Sequence, residues 1–256
     1  ILAGAKVSAD HLVLNTVFLK DRPLENISYE TVDKLRKSGK AKAVYPLAFG
    51  DNYRGFPIIG VEKEIFQYKP NRKKDPWLTV KTGKSFSEKR EVVLGSEAAR
   101  LSGLRIGDTF HSIHGMAAAG KKHGEENKVA GILAPCGGPY DAAIFTDIRD
   151  VWEAHHIPAW EQKGDVTAVL IQPEGYKEAL QLLAAYQRNK EIQLLFPSQP
   201  VISLYHTVGQ SKEFWKILIS FLLILSLLMT LLIMYWSGKS RIREFALLKA
   251  LGAGGG

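Results

Sequence analysis

Cysteine is nearly missing from this chain: Cys136 stands alone among 256 residues. No internal disulfide can form, so a folded domain must be held by core packing rather than by staples. A thiol catalyst needs a partner base and a lowered pKa, and the turn Pro135-Cys-Gly-Gly-Pro139 offers no sign of either. Cys136 reads as a small buried turn residue. Catalytic signatures are missing too: there is no His-Glu-x-x-His, no Gly-x-Ser-x-Gly and no spaced carboxylate set for calcium. Gly83-Lys84-Ser85 resembles the end of a phosphate loop, but Leu78 stands where that loop's first glycine belongs, so the cradle of backbone amides is lacking. The chain is not expected to be an enzyme.

Charge is biased without being concentrated. Lysine and arginine number 34 against 26 acidic residues, a net of +8. The densest basic runs, 36–42 and 69–74, are neither interleaved with aromatics on a strand nor set along a helix. They read as solvated loops, and no nucleic-acid partner is expected. A basic balance is equally explained by anionic lipid headgroups.

What the chain does have is one long apolar run. Ile217 to Trp236 carries no charge and only four hydroxyls over 20 residues. At about 1.5 Å per residue this spans about 30 Å, one bilayer hydrocarbon core. Leu, Ile and Met fill every face, which a helix in a soluble core would seldom show. Lys239, Arg241 and Arg243 crowd its C-terminal end and place that end in the cytoplasm, although Lys212 and Lys216 reduce the asymmetry. Residues 1 to about 212 are therefore expected outside the cytoplasmic membrane. A chain that opens Ile1-Leu2-Ala3 and closes in Gly252-Ala-Gly-Gly-Gly256 is expected to be a piece of a longer protein, lying just after one span and ending soon after the next.

The external residues read as an α+β domain in two lobes. An α/β lobe is expected from 1–50 and 158–205, with a β-rich insertion over 51–157. A lead-in and transmembrane helix follow over 206–238, then a cytoplasmic segment over 239–256. The apolar patch Leu12–Leu19 opens a strand–helix–strand pattern. Its helix starts near Ser28 and stops at Gly39, and its second strand covers Ala43–Ala48. Gly50-Asp-Asn reads as a turn before a strand over Phe56–Val61, and 67–90 as loop. Strands are expected over Glu91–Leu94, Thr109–Ile113, Lys128–Leu133 and Ala142–Thr146. Ser96 starts a helix that Gly103 ends, Asp147 caps another to about His155, and 115–127 is a loop. Val166–Ile171, Gly175–Arg188 and Ile192–Phe196 repeat strand, helix and strand. From about Ser198 one continuous helix runs into the membrane.

Histidines are the one chemical oddity. His114, His123 and His155 brought together would suit zinc or copper, and exposed imidazoles could bind haem iron. Their spacing matches no defined metal signature and Lys121 and Lys122 would repel a cation, so ordinary loop histidines stand beside the metal reading.

Beyond the span, Ile242, Phe245, Leu248 and Leu251 fall roughly on one helical face, a short amphipathic helix suited to headgroups or to a partner's groove. Ser240-Arg-Ile-Arg-Glu-Phe-Ala-Leu-Leu-Lys-Ala-Leu-Gly-Ala253 resembles the segment after the second span in FtsX-like permeases of the MacB type of ABC transporter. Glu91-Val-Val-Leu-Gly-Ser-Glu-Ala-Ala-Arg100, Leu104–Phe110 and Lys128–Leu133 are similar to the MacB-type external core. Val44–Phe56, His114-Gly115, His123 and Trp152–His155 are similar to an uncharacterised branch of the family that includes haem or peptide permeases.

The resemblance implies four spans, a homodimer, and a separate cytoplasmic ATPase that binds the ATP. Arg243, Glu244, Phe245, Leu248 and Gly252 would then contact the ATPase, and the helix from Ser198 to Trp236 would act as a lever for export or extraction of a substrate. Two other functions stay open: a transmembrane relay that activates a cell-wall hydrolase, and a metal- or haem-binding membrane receptor.

Overall fold

The computed structural model describes residues 1–20, 25–70, 75–115, 122–155 and 163–252, with the side chains of 122–124, 204, 206–211 and 245 outside that description. It divides into two compact units, Ile1–Val201 and Ile202–Gly256.

The first unit is α+β. It opens with β1 (Leu2–Ala5), fully buried, and α1 (Ala9–Thr16). Leu12–Leu19 is thus mostly helix and not the strand its composition suggests. Ser8 caps α1 by accepting from the His11 amide at 3.5 Å, and Leu12, Val13 and Thr16 fall on its buried side. After the short β2 (Ile27–Ser28) comes α2 (Glu30–Lys37), with Val32 and Leu35 buried and Gly39 in the left-handed region beyond it.

A 13-residue strand, β3 (Ala41–Tyr53), then organises the sheet. Gly50-Asp-Asn is not a turn. The strand continues through it with a bulge between Phe49 and Asp51, and the reversal falls two residues later at Arg54-Gly55. Both carry positive φ (50° and 87°), as a two-residue primed hairpin turn requires, and they join β3 to β4 (Phe56–Val61).

Within 67–90 lies β5 (Val80–Gly83). Beyond it are β6 (Glu91–Leu94), α3 (Ser96–Ser102) closed by Gly103 at φ 75°, and β7 (Thr109–His114). The next strand, β8 (Lys122–Leu133), starts well before its apolar half, because its polar first half pairs with β7. A 3-10 turn at Pro139–Ala142 leads to β9 (Ile144–Asp147) and to α4 (Ile148–Ala154), whose cap Asp147 accepts from the Arg149 amide. The unit closes with β10 (Asp165–Val166), β11 (Ala168–Pro173), α5 (Tyr176–Tyr186) and β12 (Ile192–Leu195).

One ten-stranded sheet has the order β12-β1-β11-β3-β4-β9-β6-β8-β5, with β7 bridging β3 and β8. Strands from the two ends of the unit make one side and strands from 56–147 the other, and β3 belongs to both: its first part pairs with β11, its full later part with β4. One core gathers Val44, Ala48, Leu35, Val169 and Leu182 beneath α2, α4 and α5; another packs Leu47, Phe49, Ile59, Val93 and Phe145 around aromatic rings. Alternation along β3 thus feeds both faces.

In the second unit, α6 (Ser198–Ser240) continues as a single helix, with Pro200 tolerated in its first turn. Lys212–Ser240, 29 residues of mean hydropathy 2.9, is the one segment among the described residues long and apolar enough to cross a membrane. Its length of about 44 Å matches a bilayer with its headgroups. The helix breaks at Arg241 (φ −96°, ψ 4°), and α7 (Ile242–Ala250) follows.

Candidate functional site

The β3 bulge decides which face of the sheet carries Asp51. In strict alternation Asp51 would share the face of Leu47 and Phe49, in the aromatic core. The extra residue at Gly50 turns it to the opposite face, where α4 packs. Asp51 is buried there, 4% exposed. Its register partner on β7 is His114, and the imidazole of His155, at the end of α4, reaches the same carboxylate. His114 Nδ1 lies 3.7 Å and His155 Nε2 3.8 Å from one oxygen, Asp51 Oδ1. The two rings meet edge to face with centroids 5.0 Å apart. One ligand atom from each of the three residues lies within 4.8 Å of the others.

Surrounding groups hold this arrangement. Ser112 Oγ donates to the other oxygen, Asp51 Oδ2, at 3.5 Å. Asn52, fully buried, donates its side-chain amide to the carbonyls of Ile113 and Gly115, which flank His114, and accepts from the Gly55 amide at 3.0 Å. Gly115, at φ 83°, donates its amide to the Gly50 carbonyl at 2.8 Å. The imidazoles of His114 and His155 remain partly open, with side chains 57% and 30% exposed.

Two of the three expected histidines therefore come together. His123 lies on β8, but its side chain is outside the described residues. The residue missed from sequence is Asp51. Its only local signal is the Gly-Asp-Asn triplet, which reads as a turn because the bulge depends on pairing with strands far along the chain.

Cys136 is half-buried in its turn. Burial and the neighbouring Asp141 carboxylate push its thiol up to about 11, so it is no activated nucleophile. It borders an aromatic cleft of about 430 Å³ walled by Tyr45, Tyr68, Trp77 and Tyr140. A wider cleft of about 1090 Å³, of mixed polar and apolar lining, lies over Tyr29, Arg36 and Glu62. Tyr29 donates to Glu62 while Arg36 donates to both, and burial together with Glu62 pushes the Tyr29 phenol up to about 12.

In the second unit Arg243, Glu244 and Leu248 are exposed on α7, Gly252 follows it at φ 89°, and the Phe245 side chain lies outside the described residues. Ile242, Leu247, Leu248 and Leu251 present apolar surface.

No protein-family model matches the chain, and no curated protein does. Among solved structures it is similar to the extracellular domain of the noncanonic ABC-type transporter YknZ from Gram-positive bacteria, with a TM-score of 0.46 and 15% identity over 77% of this chain and 99% of that one. It is also similar to the periplasmic region of MacB from Actinobacillus actinomycetemcomitans, with a TM-score of 0.48 and 12% identity over 83% of this chain and 91% of that one.

Proposed function

We propose that this chain is part of the permease subunit of a MacB/FtsX-type ABC transporter, and that its external domain is moved by ATP hydrolysis on a separate cytoplasmic polypeptide to export or extract a substrate. The observation that carries the reading is the order of elements at the C-terminal end. A 29-residue apolar segment is followed without a loop by the break at Arg241, and the basic cluster and amphipathic α7 come next. A helix continuous from Ser198 to Ser240 is suited to carry movement along its axis, since its backbone bonds are internal throughout. On this reading Arg243, Glu244, Phe245, Leu248 and Gly252 contact the ATPase, two copies of the permease pair as a homodimer, and the external unit lies outside the cytoplasmic membrane.

Co-purification tests this. The full-length protein is expected to capture an ABC-type ATPase, and Glu244→Lys combined with Leu248→Asp is expected to lose it, because the pair reverses a charge and interrupts the apolar face of α7. Absence of an ATPase with the unsubstituted protein removes the permease reading.

A further inference from the structure

We propose that Asp51, His114 and His155 form a binding site for one divalent transition-metal ion of the zinc class in the Ile1–Val201 unit. The site stands independently of the permease reading.

Spacing is the first argument. Ligand atoms about 2.0–2.1 Å from a tetrahedral zinc lie about 3.3 Å from one another. His114 Nδ1 and His155 Nε2 stand 3.7 and 3.8 Å from Asp51 Oδ1 and all three ligand atoms lie within 4.8 Å of one another, so small inward movements of all three side chains bring the donors to one centre. Both separations are longer than a hydrogen bond.

The donors are the second argument. Two imidazoles and one carboxylate suit zinc and its neighbours, whereas calcium and magnesium take sets built of oxygen. Three protein ligands with one open side leave a coordination position for water or for a fourth group. The burial gradient fits that geometry, with Asp51 enclosed and His114 facing solvent.

Support around the ligands is the third. Ser112 orients the carboxylate from its other oxygen, and Asn52 fixes the backbone on both sides of His114. Such outer-shell contacts are what hold ligands in register at metal centres. Gly50 has no side chain where the His155 ring must lie. An ion held here would tie β3, β7 and the end of α4 together.

The test uses the full chain in detergent, stripped with a chelator and titrated with zinc alone, with cobalt absorption as a second readout. One ion per chain is expected, with a cobalt spectrum of imidazole and carboxylate ligation. Loss of an outer-shell partner alone weakens metal sites by about 10–100-fold, so His114→Ala and His155→Ala are each expected to weaken zinc by more than about a hundredfold. His111→Ala, on the same strand but outside the cluster, is expected to leave binding unchanged. His114 is more than half exposed, so its variant keeps the test decisive even if His155→Ala fails to fold. Absence of saturable zinc binding overturns the proposal, as does binding that His114→Ala leaves within about tenfold of the parent.

Discussion

Gly50 faces His155 so closely that a methyl group added to the glycine would lie 2.5 Å from the imidazole Nε2. The φ of Gly50 is not in the left-handed region, so the glycine serves proximity and not backbone conformation. Because the obstructing atom belongs to a partly exposed ring, Gly50→Ala can be accommodated by turning His155 away. The expected result is a stability change within about 1 kcal/mol and a loss of zinc affinity comparable to that of His155→Ala, read by thermal melting and zinc titration on the same sample.

Asn52 connects the β3–β4 hairpin to both carbonyls around His114. Replacing it with alanine leaves partly buried backbone oxygens without those donors, at a cost of about 1 kcal/mol. Asn52→Ala is expected to shift the chemical-denaturation midpoint of the Ile1–Val201 unit downward and to weaken zinc binding. An unchanged midpoint would contradict the positioning role.

Glu91 sets an acid limit on the fold. Burial opposes its ionisation, but the amides of Ser87 and Glu88, the Ser87 hydroxyl and Lys84 all favour the carboxylate and bring it down to about 2. A folded-state pKa below the unfolded one gives stability that is complete above the unfolded value near 4.5 and is lost as pH falls toward about 2. The difference corresponds to about 3 kcal/mol. Melting temperature is expected to drop between about pH 5 and pH 2, and Glu91→Gln is expected to reduce that dependence, with Asp141 and Asp147, also lowered, supplying part of what remains.

Gly95 and Gly131 test the sheet's packing. A Cβ on Gly95 would run into the backbone carbonyl of Asp141, and one on Gly131 into that of Lys84. Neither obstacle is a side chain that can rotate away. Alanine at either position is expected to destabilise the unit by more than about 3 kcal/mol, in contrast to Gly50→Ala, and equilibrium unfolding measures the difference.

Much of this fold is legible where local signals agree with burial. Pro57–Val61 and Val92–Leu94 are apolar and buried, Gly103 ends its helix at φ 75°, and Asp147 caps α4. The signals fail where pairing overrides composition. Leu12–Leu19 has the residues of a strand, but the Ser8 cap and the burial of Leu12, Val13 and Thr16 make it helical. Residues 122–127 look like loop because they are polar, yet β7 gives their backbone a partner. The candidate site shows the same division: His114 and His155 stand out by residue type, whereas Asp51 becomes a ligand candidate only through a bulge set by contacts with β4 and β7.

The proposed permease function requires residues 1 to about 212 outside the cytoplasmic membrane and α7 inside it. Cysteine labelling in intact cells tests it most directly. With Cys136 replaced by serine, single cysteines at exposed Glu174 and exposed Lys249 are treated with a membrane-impermeant maleimide. Glu174→Cys is expected to label in intact cells whose outer barrier has been opened, and Lys249→Cys only after the cytoplasmic membrane is permeabilised. Equal labelling at both positions before permeabilisation would contradict it.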